Sequence, residues 1–385
     1  MEVKIKKRVV VGLSGGVDSS VSALLLKQEG YEVIGLFMSN WDTIANFENN
    51  HEFNKTHQGC ESELDYQDAQ AVAQKIGIPL YRVEFIKEYW DNVFEYFLSE
   101  YQKNRTPNPD ILCNQFIKFD SFLNYAKNEL QADYIAMGHY ARVKHDKNSS
   151  FLLKAIDTNK DQTYFLCNLN QNQLQNVLFP IGHLTKLQVR AIAKKHGLIT
   201  ANKKDSTGIC FIGERNFKTF LQNYIPNQPG EIINIVNNQI IGHHIGTMYY
   251  TIGQRKGLNL GGMNERMFVC DKDLDKKIIY VAPLSHEKQY LISTQALIEN
   301  INFIEPYNHQ IPIMVRFRHR QDLIIVNDFL PIKNTKNVLI NYHSARAITP
   351  GQYAVFYQND HCIGGGIVSK TNIGHQKVDF LVYKS

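Results

Sequence analysis

The chain has 385 residues, 43% of them apolar and 21% charged, which is too long for one average domain and enough for two or three, each with its own core. Its 42 Lys and Arg against 37 Asp and Glu give a net charge of +5, an excess that permits a polyanionic partner without requiring one. No stretch reaches the apolar length of a membrane span, and the basic start Met1 to Arg8 runs straight into a β-like stretch, so a soluble, cytoplasmic chain is expected, and a monomer. Six scattered cysteines, Cys60, Cys113, Cys167, Cys210, Cys270 and Cys362, fit neither a disulfide scaffold nor a finger of two CxxC halves.

Lys6 to Leu13 predicts a buried strand, Val21, Leu24 and Leu25 a helix closed by Gly30, and Tyr31 to Phe37 the next strand. Ala69, Val72, Ala73 and Ile76 repeat at helical spacing up to Gly77, and Leu80 to Phe85 supplies another strand. Phe119, Phe122, Leu123 and Ala126 continue the pattern, with a strand at Tyr134 to Met137 ending at Gly138. Thr185 and Gln188 form a capping box for a helix carrying Val189, Ile192 and Ala193, with Gly197 as its terminator. Strands alternating with helices imply an α/β parallel sheet with both faces covered. Beyond about residue 212 short β-like segments dominate, at Glu231 to Val236, Ile278 to Val281, Ile311 to Phe317 and Gln352 to Phe356. The expected domains are therefore 1–211, a small central one at 212–284, and a β-barrel at 285–385.

Between the first strand and helix stands Ser14-Gly15-Gly16-Val17-Asp18-Ser19-Ser20. Its glycines allow close backbone approach, its N–H groups and hydroxyls are donors, and the helix start favours negative charge, so it reads as an anion cradle. It lacks the Gly-Lys-Ser/Thr of a kinase-like loop and the GxGxxG of a dinucleotide fold.

Two cysteines stand in distinctive settings. Pro107 and Pro109 stiffen the approach to Cys113, which falls near a helix start, where the dipole favours thiolate. Gly208 and Gly213 bracket Cys210, with Arg215 nearby; a reactive, movable thiol and a tight structural turn both fit that pattern. His51, His57 and Cys60 have no recognised ligand spacing, and no protein metal site is expected there.

The loop resembles the SGGxDS motif of the PP-loop ATP pyrophosphatases. The segments Pro107-Asn108-Pro109-Asp110-Ile111-Leu112-Cys113-Asn114 and Ser206-Thr207-Gly208-Ile209-Cys210-Phe211-Ile212-Gly213-Glu214-Arg215 resemble signatures of the tRNA-specific 2-thiouridylases. The likeness extends to Asp65 and Asp68, to Gly138-His139-Tyr140-Ala141-Arg142, to Tyr250 through Gly257, and to Pro350-Gly351-Gln352, covering essentially the whole chain. Asn104, His319 and Met267-Phe268-Val269 depart from the family's usual Gly, Tyr and Trp-Tyr-Val.

That resemblance implies a PP-loop domain of the adenine nucleotide alpha hydrolase type and ATP-dependent 2-thiolation of a wobble uridine, releasing AMP and pyrophosphate. It places ATP on Gly12, Leu13, Ser14, Gly15, Gly16, Val17, Asp18, Ser19 and Ser20, with Met38 and Gly138, and makes Asp18 the candidate to orient Mg²⁺. Cys113 is then the nucleophile, Cys210 the persulfide carrier, and Asp110 the polar or acid/base residue at the target base, beside Asn108 and Pro109. His139, Lys160, Asp161, Gln162, Arg318, His319 and Gln352 are the implied tRNA contacts. The implied partners are tRNAs for Lys, Glu and Gln and a cysteine desulfurase or sulfur carrier.

Direct persulfide attack with a transient Cys113–Cys210 disulfide, release of sulfide, and an iron–sulfur cluster on those cysteines stay open at this point. Two competing functions need no such cysteines: a PP-loop ligase or amidotransferase acting on a small molecule, and a nucleotide-responsive RNA-binding protein. Arg316, Arg318 and Arg320 alternate, which predicts a basic face on one strand, and Gly364-Gly365-Gly366 predicts a bulge or turn.

Overall fold

A computed structural model describes residues 6–41, 61–205 and 217–373. These form two compact units, one of residues 6–41, 61–93, 110–205 and 360–362, the other of residues 94–109, 217–359 and 363–373.

In the first unit the Val-Val-Val stretch is fully buried as strand β1 (Arg8–Gly12). Helix α1 (Val17–Gln28) follows, then β2 (Glu32–Ser39), helix α2 (Glu61–Ile76) and β3 (Leu80–Glu84). Later come β4 (Tyr134–Ala136), the antiparallel hairpin of β5 (Ala141–His145) and β6 (Ser150–Lys154), and β7 (Val177–Leu178). The sheet is parallel, in the order β3-β2-β1-β4-β7. Chain order reverses on either side of β1, so the crevice at the carboxyl ends of β1 and β4 is the switch point where such sheets bind ligands.

Val9 and Val11 pack with Ala23 and Leu26 of α1 and with Ala69, Val72 and Ala73 of α2, the residues expected from helical spacing. The other side of α1, through Val17, Val21 and Leu24, meets Val189 and Ala193 of the helix Lys186–Lys195. Thr185 and Gln188 make the expected reciprocal cap on that helix, and Gly197 follows it at φ +62°. Thr185→Ala is expected to cost about 1 kcal/mol of unfolding free energy, read as a lower denaturant midpoint at unchanged slope. An unchanged midpoint would show that the cap is dispensable.

One helical stretch differs from expectation. The turn Pro109–Leu112 passes into a π-helix over Cys113–Ser121 before regular helix resumes at Phe122–Asn128. Cys113 and Asn114, the first two residues of this stretch, are both buried, as are Ile111 and Leu112 just before it.

The second unit holds a four-stranded sheet of β8 (Gly230–Asn234), β9 (Gln239–His244), β10 (Met267–Asp273) and β11 (Ile278–Pro283), in the order β10-β11-β8-β9. A barrel follows: β12 (Ile292–Phe303), β13 (Met314–Arg316), β14 (Ile324–Pro331), β15 (Val338–Arg346), β16 (Tyr353–Gln358) and β17 (His361–Thr371). Strand β12 pairs with both β15 and β17, which closes six strands around a core containing Ile298, Val315, Phe317, Ile340 and Phe356.

The predicted arginine face does not form. β13 ends at Arg316, and residues 317–320 bend and turn toward β14, so the three side chains do not alternate along one strand. Arg316 lies 5.4 Å from the Tyr357 ring centre, and Arg318 donates to the Ala347 carbonyl at 2.6 Å. The three glycines behave as expected: they lie in β17 beside a register shift, where a Cβ on Gly364 would sit 2.0 Å from the Asn302 carbonyl oxygen.

Asn104, one of the departures from the family pattern, has φ +61°, a conformation that Asn tolerates almost as Gly does. The barrel corner holds the loop that follows it. Thr106 N–H donates to the Pro350 carbonyl at 2.9 Å, and Gln352 Nε2 donates to the carbonyls of Thr106 at 2.7 Å and Pro107 at 3.3 Å.

Candidate active site

The loop carrying Ser14, Gly15 and Gly16 sits at the carboxyl end of β1. Ser19 Oγ accepts from Ser14 N–H at 3.2 Å, and the Ser19 and Ser20 hydroxyls donate to the Gly16 carbonyl at 3.1 and 2.7 Å, which fixes the turn from inside. Gly16 is the N-cap of α1 and no side chain caps this end, so the first helical N–H groups are left for a ligand. Gly15 has φ +73°, and a Cβ there would fall 2.2 Å from the Asp65 carbonyl oxygen. A Cβ on Gly138, just past β4, would come 2.8 Å from Ser19 N, so this glycine lets the β4 end touch the helix start. Gly12 ends β1 and Met38 lies near the end of β2, on the same carboxyl edge.

Asp18 was missed as an ion-pair partner. Both its oxygens accept from Lys186 Nζ at 2.8 Å, and Oδ1 also accepts from Tyr140 OH at 2.9 Å. Burial and the neighbouring Asp18 push the Tyr140 phenol far up, so it stays a donor. The loop has no lysine of its own; that lack was the one sequence signal that a basic residue had to come from elsewhere.

Cys113 is 4% exposed and lies one turn beyond Pro109, inside the helix rather than at its free N–H groups. Asn114 donates to the Phe165 carbonyl at 3.0 Å. Burial pushes the Asp110 carboxyl up from its ordinary range, with Lys118 pulling it down. His139 lies among Phe119 and Phe179, and burial, reinforced by Lys118, holds its imidazole well below the ordinary 6.5 and neutral. The Oδ1 of Asn114 and the Nδ1 of His139 are buried without a hydrogen-bond partner among the described residues.

If Asp110 works as a base, it acts only above its pKa. Lys118→Met is then expected to move the acidic limb of the pH–activity profile upward, and Asp110→Asn to remove that limb. A limb that stays in place in Lys118→Met would take the base role from Asp110.

Cys210 and Arg215 lie outside the described residues, as do His51, His57 and Cys60. No disulfide joins two of the described cysteines, and the expected transient Cys113–Cys210 disulfide involves a residue outside them. Burial pushes the thiols of Cys167 and Cys270 up, which keeps both protonated and unreactive.

The expected tRNA contacts are placed unevenly. Lys160 is partly exposed and donates to Asp205 at 2.6 Å. Asp161 is 3% exposed and accepts from the Thr163 hydroxyl at 3.0 Å, while Gln162 Oε1 accepts from Tyr140 N–H at 2.8 Å, so both side chains brace the fold. In the second unit Arg318 and His319 lie on the turn after β13, and Gln352 is engaged with the loop at Thr106 and Pro107.

The fold and loop define an α/β chain of the HUP class carrying two β-rich domains. Residues 7–214 match the family model described as tRNA methyl transferase HUP domain, 218–283 the tRNA methyl transferase PRC-barrel domain, and 293–368 the Aminomethyltransferase beta-barrel domain. Over 385 residues and all of both chains it is 98% identical to the tRNA-specific 2-thiouridylase MnmA of Ureaplasma parvum serovar 3. It is 83% identical to that of Ureaplasma urealyticum serovar 10, over 99% of this chain and 100% of the relative. With the protein of the same name from Mesoplasma florum the identity is 57%, over 94% of this chain and 99% of the relative. The chain belongs to the tRNA-specific 2-thiouridylase family.

Proposed function

We propose that this chain is an ATP-dependent sulfur transferase that 2-thiolates the wobble uridine of tRNA. The observation that carries the reading is the uncapped start of α1 behind Gly15 and Gly16, an anion cradle at the switch point of the sheet. The residues fit a triphosphate: a Cβ on Gly16 would meet only Ser14 Oγ, at 3.5 Å, so the space over the loop is open. Bound ATP would supply the AMP that turns the uridine 2-oxygen into a leaving group.

Around that step the chain's own residues divide the work. The loop from Gly12 to Ser20, with Gly138 and Met38, holds the nucleotide. Asn108, Pro109 and Asp110 meet the base, and the unpartnered Asn114 Oδ1 and His139 Nδ1 support a polar ligand nearby, since such buried atoms are rare. The terminal sulfur of a Cys210 persulfide attacks C2, the oxygen departs with AMP, and the Cys113 thiolate takes the S–S bond, leaving a disulfide that an external thiol reduces. Sulfide released by Cys113 is the second route.

Asp18, the candidate to orient Mg²⁺ brought by the triphosphate, is held in place by Lys186 and Tyr140. RNA contact at 160–162 falls to Lys160 and the backbone, with Arg318, His319 and Gln352 from the barrel side of the sequence. No helix among the described residues is long and apolar enough to cross a membrane.

The test is direct. Incubation with ATP, cysteine, a cysteine desulfurase and tRNA for Lys, Glu or Gln is expected to give 2-thiouridine and AMP, seen by nucleoside mass spectrometry. AMP formation on a small molecule without tRNA would favour a PP-loop ligase instead.

A further inference from the structure

Two buried polar atoms beside the expected chemistry have no hydrogen-bond partner among the described residues, Oδ1 of Asn114 and Nδ1 of His139. Asn114 is 2% exposed and follows Cys113 in the chain. His139 is 9% exposed and follows Gly138, the glycine whose Cβ would meet Ser19 N at 2.8 Å. Phe119, five residues on from Asn114 in the same π-helix, packs on the His139 ring with centroids 5.8 Å apart, so the π stretch and the chain just past β4 meet there. The orientation of the Asn114 amide is fixed. Its Nδ2 donates to the Phe165 carbonyl at 3.0 Å, within the short turn Thr163–Leu166, which leaves Oδ1 as a pure acceptor.

Packing alone does not account for these atoms, since an unsatisfied buried polar group destabilises the fold and is rare. Their chemistry limits the ligand. An amide oxygen repels a phosphate and accepts from an N–H or O–H. Burial, reinforced by Lys118, keeps the His139 imidazole neutral, so Nδ1 offers one donor or one acceptor according to which nitrogen carries the proton. The aromatic neighbours Phe119 and Phe179 suit a planar ring. A uracil meets all of these demands: its N3 carries a hydrogen and its O4 is an acceptor, whereas in cytosine N3 is bare and the 4-amino group is a donor.

We propose that Asn114 and His139 read the Watson–Crick edge of the target uridine, Asn114 Oδ1 accepting from N3–H and His139 Nδ1–H donating to O4, and that Asn114 sets the choice of uridine over cytidine. This rests on the sulfur-transferase reading above. Both contacts leave O2, the atom to be replaced, free for the nucleotide. Cytidine would set a lone pair against Oδ1 and an N–H against Nδ1–H, and a site built to bond an N–H rejects a base that lacks it.

The experiment measures binding of tRNA for Lys carrying uridine, cytidine or 3-methyluridine at the wobble position, beside ATP affinity and 2-thiouridine formation with ATP, cysteine and a desulfurase. The wild type is expected to prefer uridine over the other two by about tenfold or more, because each of them leaves buried groups unpaired. Asn114→Leu should lower uridine affinity to the level of cytidine while cytidine and ATP affinities stay as they were; a merely structural residue would lower all three tRNAs in step. His139→Phe, which keeps a ring between Phe119 and Phe179, should narrow the preference in the same direction and stands in for Asn114→Leu if that variant does not fold. A uridine preference that survives in the folded variants, or one lost together with ATP affinity, overturns the base-reading role, as does a wild type that thiolates without preferring uridine. A wild type that forms no 2-thiouridine overturns the functional reading instead.

Discussion

Cys210→Ser is expected to form no 2-thiouridine and to hold no reductant-releasable sulfur after incubation with a desulfurase and cysteine, because a hydroxyl cannot carry a persulfide. Cys113→Ser should behave differently: it accepts labelled sulfur at Cys210 but does not complete transfer, since the thiol one turn into the Pro109 helix is missing. Loading at Cys167, Cys270 and Cys362 should be low, because all three are buried. Both variants keep some tRNA-dependent ATP consumption, which depends on the loop. Mass spectrometry of the loaded proteins decides the roles. A persulfide on Cys113 with none on Cys210 would reverse them, and full thiolation by the double variant would eliminate the cysteine mechanism.

Gly16→Val should abolish AMP formation while the fold survives. Gly16 has φ −93° and ψ 162°, an extended conformation open to any residue, and its Cβ direction is free of backbone. The added methyls would stand where the phosphates must approach the helix N–H groups. Gly15→Ala and Gly138→Ala are the contrasting cases, because a Cβ at either position meets backbone at 2.2 or 2.8 Å. Those two should lose melting temperature and activity together. Wild-type AMP formation in a folded Gly16→Val would remove the loop from nucleotide binding.

What the sequence determined by itself was local. A strand, two glycines and a helix start within about a dozen residues specify the loop, since each piece is read from neighbouring φ preferences and donors. The alternation of strand and helix patterns fixed the parallel sheet, and the spacing of Ala69, Val72 and Ala73 picked the buried face of α2 correctly. The Thr185 cap was legible for the same reason, its partner being three residues away.

What only the tertiary structure decided was long-range. Lys186 reaches Asp18 across 168 positions and Lys203 reaches Gly15 across 188, and no periodicity links residues so far apart. The end of β13 at Arg316 depended on where β14 and β16 pair with it, which turned an alternating arginine pattern into a bend. His139 reads as a polar residue after a glycine, and only packing against Phe119 and Phe179 makes it a buried neutral imidazole. Local chemistry is written in adjacent residues; desolvation and ion pairing belong to neighbours that the folded chain brings together.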